Sequence, residues 1–231
     1  MKRFWKEARA VELEQGFGVV LDARPLRTPA KAPIVVPTRA MAEAMAAEWD
    51  AQGPEVKPAT MPVTRAANST IDRVIAARAA VAASLAAFGG SDLLCYRAPF
   101  PPELAAGQAA AWDPLLDWAA ARFGARLGVA VGVMHVPQSD AALAALARAV
   151  EAHDAWELTA LHDLVTISGS LVLGLAVSEG RLTAPEAWRA SRIDEDWNIR
   201  EWGEDEEAAA TSRLREADFL AAARLLDLIR G

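Results

Sequence analysis

The sequence predicts an α+β protein: a small N-terminal antiparallel β domain followed by a larger, mainly α-helical domain. Three observations carry this reading. Apolar and polar residues alternate with period two through the first three dozen residues, then apolar residues recur at helical spacing. Pro54, Pro58 and Pro62 lie between the β-patterned start and the long helical remainder. The expected domains are therefore residues 1–58 and 59–231.

In the first part, Val11 and Leu13 alternate with Glu12 and Glu14, Gln15-Gly16 offers a turn, and Phe17, Val19 and Leu21 resume the alternation. Asp22-Ala23-Arg24-Pro25 suggests a second reversal, and Ile34-Val35-Val36 is a short β-branched run between prolines. Three to five short strands are expected. Thr38 can then cap a helix through Trp49, closed by Gly53-Pro54.

Past the prolines, Ile71, Val74, Ile75, Val81 and Leu85 predict one long helix that stops at Gly89-Gly90. Ser91 to Arg97 reads as strand or extended chain. Asp113-Pro114 reads as a helix start, because an acceptor at the cap precedes a proline at the first helical position; that helix ends at Gly124. Val129 to His135 alternates with small residues as a strand would. Helices are expected from Ser139 to His153 and from Trp156 to Ser178, the second with Ser170 and Gly174 on a face that permits close packing. Thr183 to Glu186 has the T-x-x-E form of a capping box, and a last helix begins near Glu206.

Composition narrows the function. With 53% hydrophobic and 24% charged residues, the 231-residue chain has ample core material and no disorder signature. The net charge of −7 argues against nucleic acid as a partner. It is unevenly spread: Ser191 to Glu207 holds eight acids and two arginines, a balance of −6, which leaves −1 for everything else. The first forty residues carry eight Lys or Arg against four acids. The single cysteine, Cys95, excludes an internal disulfide and a thiolate cluster, and its apolar neighbours suggest a packed, inert thiol. The opening residues lack the apolar core of a secretory signal, and the most apolar stretch, Leu164 to Val177, is too short to span a membrane. No membrane insertion is expected, and the cytoplasm of a bacterium is the expected compartment.

Chemical motifs are scarce. There is no G-x-x-x-x-G-K-[ST] phosphate cradle, so no ATP binding and no cofactor are expected. Gly16-Phe17-Gly18 belongs to a hairpin rather than a dinucleotide loop, and Ser168-Gly169-Ser170 to close helix packing. His135, His153 and His162 fit no metal-ligand spacing, and Asp194-Glu195-Asp196 lacks the alternation of a calcium loop. His162 and Asp163, as neighbours on a helix, are expected to point apart.

The unusual stretch is WRASRIDEDWNIREWGEDEE, Trp188 to Glu207. As a helix it puts Ala190, Ile193 and Trp197 on one face and Glu195, Ile199 and Trp202 on another. Tryptophans interleaved with carboxylates suit a protein interface; an amphipathic helix with a solvated acidic face fits as well.

The order of several motifs resembles the ATP synthase assembly chaperones that hold the free α subunit. They are Arg24-Pro25-Leu26-Arg27-Thr28-Pro29-Ala30-Lys31, Ala47-Glu48-Trp49, Met61-Pro62, Asp72-Arg73-Val74 and Ser91-Asp92-Leu93-Leu94-Cys95-Tyr96-Arg97. Gln108, Trp112-Asp113-Pro114-Leu115-Leu116, Thr159-Ala160-Leu161-His162, Asp194-Glu195-Asp196-Trp197 and Trp202-Gly203 follow. The resemblance implies a non-catalytic protein whose partner is the α subunit of F-type ATP synthase; a monomer is expected for the free protein. It implies a bacterial member, since mitochondrial ones carry a transit peptide. It also places the family's functional carboxylate at Glu195 or Asp194, within an expected partner-binding set of Glu195, Asp194, Asp196, Trp197 and Trp202. The rival reading is a small-molecule enzyme that uses Asp92, His162 or the carboxylate cluster in an interdomain cleft.

Overall fold

The computed structural model describes residues 2–231. The chain divides into two compact units. One comprises Met1–Arg78, Asp154–Ala160 and Arg224–Gly231; the other comprises Ala79–His153 and Leu161–Ala223.

The first unit is built on a three-stranded antiparallel sheet of β1 (Ala8–Leu13), β2 (Gly16–Leu21) and β3 (Arg24–Pro25), with Leu13 opposite Gly16 and Leu21 opposite Arg24. Bridges from Phe17 to Val36 and from Arg27 to Pro33 lay the following segment along it. That close approach explains the hairpin glycine: a Cβ at Gly16 would come within 2.6 Å of the Val36 carbonyl oxygen. The second reversal is held by Asp22, whose carboxylate accepts the backbone N–H groups of Lys6 and Glu7 at 3.0 Å. Helix α1 (Arg39–Asp50) is capped by the Thr38 hydroxyl and contributes Met41, Met45 and Trp49 to a core with Trp5, Val19, Leu21 and Ile34.

The long helix expected after the prolines is broken. Helix α2 (Pro62–Ser69) passes into a π-helical turn over Thr70–Val74, and a new helix, α3, runs Arg78–Ala86. The physical reason is Thr70, fully buried. Its hydroxyl bonds to the Ala66 carbonyl at 2.9 Å and to the Thr159 hydroxyl at 2.7 Å, while its own carbonyl accepts from Ile75, five residues on. The start of α2 is capped from outside, by Glu48, which takes the N–H groups of Val63 and Thr64 at 2.7 and 2.8 Å.

In the second unit, β4 (Tyr96–Arg97) and β5 (Ala130–Val131) form a two-stranded parallel sheet. Between them α4 runs Pro102–Phe123, twelve residues earlier at its start than expected, with Pro114 in its interior. Asp113 does not cap a helix start, because its carboxylate is taken by the Arg97 guanidinium at 2.5 Å. The chain continues through α5 (Asp140–Glu151, capped by Ser139), α6 (Ala155–Ser168, of which residues to Ala160 belong to the first unit) and α7 (Leu171–Ser178). The expected helix from Trp156 to Ser178 is thus two helices. Gly169 adopts a left-handed φ of 72° and the Ser170 side chain caps α7. The capping box at Thr183 and Glu186 opens α8 (Ala184–Ser191), followed by α9 (Ile193–Trp202) and α10 (Glu206–Arg230). The core of this unit contains Leu94, Trp112, Leu146, Leu161, Leu164, Leu171 and Phe219.

Candidate protein-binding surface

Two buried side chains set the position of the acidic segment. The Trp112 indole on α4 donates to the Ala190 carbonyl at 2.8 Å, and Gln108, one turn earlier, donates to Asp194 at 2.5 Å while accepting from the Ala98 N–H. Arg97 stacks over Trp112 with its guanidinium 5.0 Å from the ring centre. The residues between Tyr96 and Asp113 that carry no obvious chemistry in the sequence are therefore the support on which α8 and α9 rest.

The expected continuous helix from Trp188 is interrupted at Arg192, which separates α8 from α9, so Ala190 and Ile193 belong to different helices. The other expected face survives. Glu195, Ile199 and Trp202 line one open groove of about 890 Å³ running between α9 and α10, together with Asp196, Trp188 and Ala209. Trp188 packs on Phe219 of α10 with ring centres 5.9 Å apart, which holds the groove's floor. Trp202 is 86% exposed, a large apolar surface left in water at the end of α9.

The five candidate residues thus divide. Glu195, Asp196 and Trp202 meet in the groove. Asp194 turns toward Gln108 and lines a smaller adjoining cavity of about 200 Å³ with Glu195 and Arg215. Trp197 lies outside the groove, under the Arg200 guanidinium at 4.8 Å. Arg192 is the local counter-charge. Its side chain is only 14% exposed, sits over Trp188, and reaches Glu195 at 3.5 Å and Asp196 at 4.0 Å. No local signal in the sequence marks Gln108, Trp112 and Arg97 as the positioning residues; only their place in the motif order points to them.

The residues of the enzyme reading are dispersed. Asp92 is completely buried and its carboxylate accepts from the Ser170 hydroxyl at 2.7 Å, the Val172 N–H at 2.9 Å and the Leu94 N–H at 3.0 Å. Burial pushes its pKa up against those hydrogen bonds. His162 and Asp163 do not point apart as expected: His162 Nδ1 lies 3.0 Å from the Asp163 carboxylate, whose hydrogen bond raises the imidazole pKa. Both are about half exposed, and neither lines the groove. Cys95 is buried and its thiol is pushed up to about 12, chiefly by desolvation. Among the described residues no group of three or more His, Cys, Asp or Glu is placed to hold a metal ion, and no single helix is long and apolar enough to cross a membrane.

Comparison with solved structures adds identity to this geometry. Atp12 from Paracoccus denitrificans is 48% identical, with 99% of this chain and 98% of that one covered at a TM-score of 0.95. A mutant of the Paracoccus protein with lysine in place of an aspartate matches equally well. A protein from Agrobacterium tumefaciens is 45% identical over 98% of this chain and 85% of its own, at a TM-score of 0.94. The model of the family described as ATP12 chaperone protein matches residues 2–120, and the chain belongs to that chaperone family.

Proposed function

We propose that this chaperone serves assembly of the catalytic head of F-type ATP synthase, as a bacterial cytoplasmic protein that binds and shields the unassembled α subunit without catalysis. The observation that carries the reading is the groove of a family member in which an exposed tryptophan, Trp202, meets the carboxylates Glu195 and Asp196. Aromatic anchors bordered by charges are the composition of protein interfaces. Asp194 and Trp197 complete the surface from the flanks of α9. Binding here lowers the free concentration of a subunit whose assembly face is apolar, and a larger obligate interface with the next subunit displaces the chaperone. The non-catalytic reading is supported by Asp92, whose acceptor capacity is spent on buried donors.

The test is a pull-down from native bacterial lysate with the tagged full chain. Recovery of the α subunit, lost when Trp202→Ala and Glu195→Lys are combined, is the expected result. Recovery of no α subunit by the wild-type chain rejects the proposal and leaves the enzyme reading standing.

A further inference from the structure

Eleven large apolar side chains are exposed among the described residues, and five of them fall within eight positions: Val129, Val131, Val133, Met134 and Val136. Val133 is 96% and Met134 78% exposed. This segment lies away from the α9 groove in sequence and shares none of its lining residues. Isolated exposed apolar residues need no explanation, but a run of this density does.

The run is held in place rather than loose. At its base the Gln138 amide makes two hydrogen bonds to one residue, accepting the Gly128 N–H at 2.7 Å and donating to the Gly128 carbonyl at 3.0 Å. In its middle, the Gly132 N–H donates to the Arg97 carbonyl at 2.8 Å. Beyond that, the Tyr96 hydroxyl and His135 Nδ1 share a hydrogen bond of 3.3 Å. Gly132, with a φ of +86°, turns the chain so that Val133 and Met134 form the tip. Three anchors and a turn thus display five apolar side chains.

Chemistry identifies the occupant. Among the described residues β5 pairs only with β4, so its other edge carries no strand. Arg97 is the register partner of Val131 and bonds to the residues flanking it, which leaves the Val131 N–H and C=O directed at that open edge. No Asp, Glu, Lys or Arg occurs between Arg126 and Asp140, although proteins ordinarily protect an open edge with charge. An unprotected edge flanked by valines fits an extended, uncharged strand, joined by main-chain hydrogen bonds and covered by alternate side chains.

We propose that the Gly128–Gln138 loop is a second docking site of this protein, which takes an extended, uncharged, apolar segment of another polypeptide alongside β5. The site is independent of the α9 surface and of the identity of the subunit bound there.

The experiment uses the full chain and a fluorescent peptide of eight alternating Val and Thr residues with uncharged Ser-Gly ends. A matched peptide N-methylated at alternate residues keeps the side chains and removes the strand donors. The Val131→Lys/Val133→Lys variant is compared with wild type after thermal melting establishes equal stability; Met134→Ser serves where it does not. Saturable anisotropy is expected with wild type, at least ten-fold weaker binding with the N-methylated peptide and with the lysine variant, and slowed hydrogen exchange at the Val131 amide. Absence of binding overturns the proposal. So does binding indifferent to N-methylation, or to the substitutions. Concentration-dependent dimers in sedimentation velocity that the lysines abolish also overturn it, since the edge would then serve a second copy.

Discussion

Asp92 is fully buried and receives three hydrogen bonds, so its removal orphans a hydroxyl and two backbone N–H groups at once. An unsatisfied buried group costs about 1–3 kcal/mol, and Asp92→Ala is expected to lose at least about 3 kcal/mol in denaturant melts, with α7 the first element to exchange its amides. Its raised pKa gives the sign of a pH effect. The folded state holds the Asp92 proton more tightly than the unfolded one, so its contribution is fully present below 3.8 and declines as pH rises through the folded value. The stability difference between wild type and Asp92→Asn should therefore shrink with rising pH over that window. Cys95, at about 12, should resist iodoacetamide at pH 8 in the native protein and react fully in denaturant. Glu195 is the contrasting case. It is half exposed and forms an ion pair with Arg192 at 3.5 Å, a pair worth about 0.3–0.5 kcal/mol. Glu195→Lys is expected to leave the melting temperature within about 2 °C of wild type while it lowers capture of the α subunit more than Glu195→Gln does, because reversal adds repulsion. Loss of several degrees together with capture would make the residue structural. The burial of Cys95 and the Arg192–Glu195 pair are legible in the sequence from apolar neighbours and helical spacing. The burial of Asp92 is not, since its partners Ser170 and Val172 lie about eighty residues away.

Elements show the same division between local and distant causes. The β1–β2 hairpin, the Thr38 and Ser139 caps, the capping box of α8 and the Gly124 stop all follow from signals within a few residues, and all stand where the sequence puts them. The α6–α7 break does not, because apolar residues at helical spacing continue on both sides of Gly169, from Leu161, Leu164 and Val165 to Val172 and Leu175. What stops the helix is a left-handed glycine stabilised by a cap from Ser170 and by Asp92. Pro114 misleads in the opposite direction: it carries a start signal yet sits inside α4, where Trp112 and Asp113 are fixed from other elements. The two glycines of this region separate the causes experimentally. A Cβ at Gly174 would lie 2.6 Å from the Val165 Cγ2 atom, so Gly174→Ala forces α6 and α7 apart; overpacking of this kind costs about 1–3 kcal/mol. Gly169 has open space around it but a φ of +72°, and Gly169→Ala should cost about 1–2 kcal/mol through backbone strain alone. Chemical denaturation of both variants distinguishes them further when Val165→Ala is added, which should rescue Gly174→Ala and leave Gly169→Ala unrelieved.

At the scale of the whole molecule the charge distribution is the dominant asymmetry. Of the net −7, a balance of −6 lies between Ser191 and Glu207, in and just after α9. The face of Glu195, Ile199 and Trp202 was legible because residues four and seven apart share a side of any helix. The interruption at Arg192 was not, and neither was the groove, which needs α10 as its second wall. Several of the acids at its border are solvated, which suits them to encounter rather than to a desolvated contact. A concentrated negative field speeds association with a positively charged surface and does so less as salt screens it; the Debye length falls from about 10 Å at 0.1 M to about 3 Å at 1 M. The association rate with the α subunit, followed by stopped-flow fluorescence of the groove tryptophans, is therefore expected to fall about ten-fold between roughly 0.05 and 0.5 M NaCl. The dissociation rate should change by less than about two-fold, since border charges act on the approach and Trp202 on the bound state. Trp202→Ala should show the reverse, with faster release and an unchanged salt slope. A salt effect confined to dissociation would place the carboxylates in the desolvated centre of the interface, and a rate indifferent to salt would remove the acidic segment from recognition.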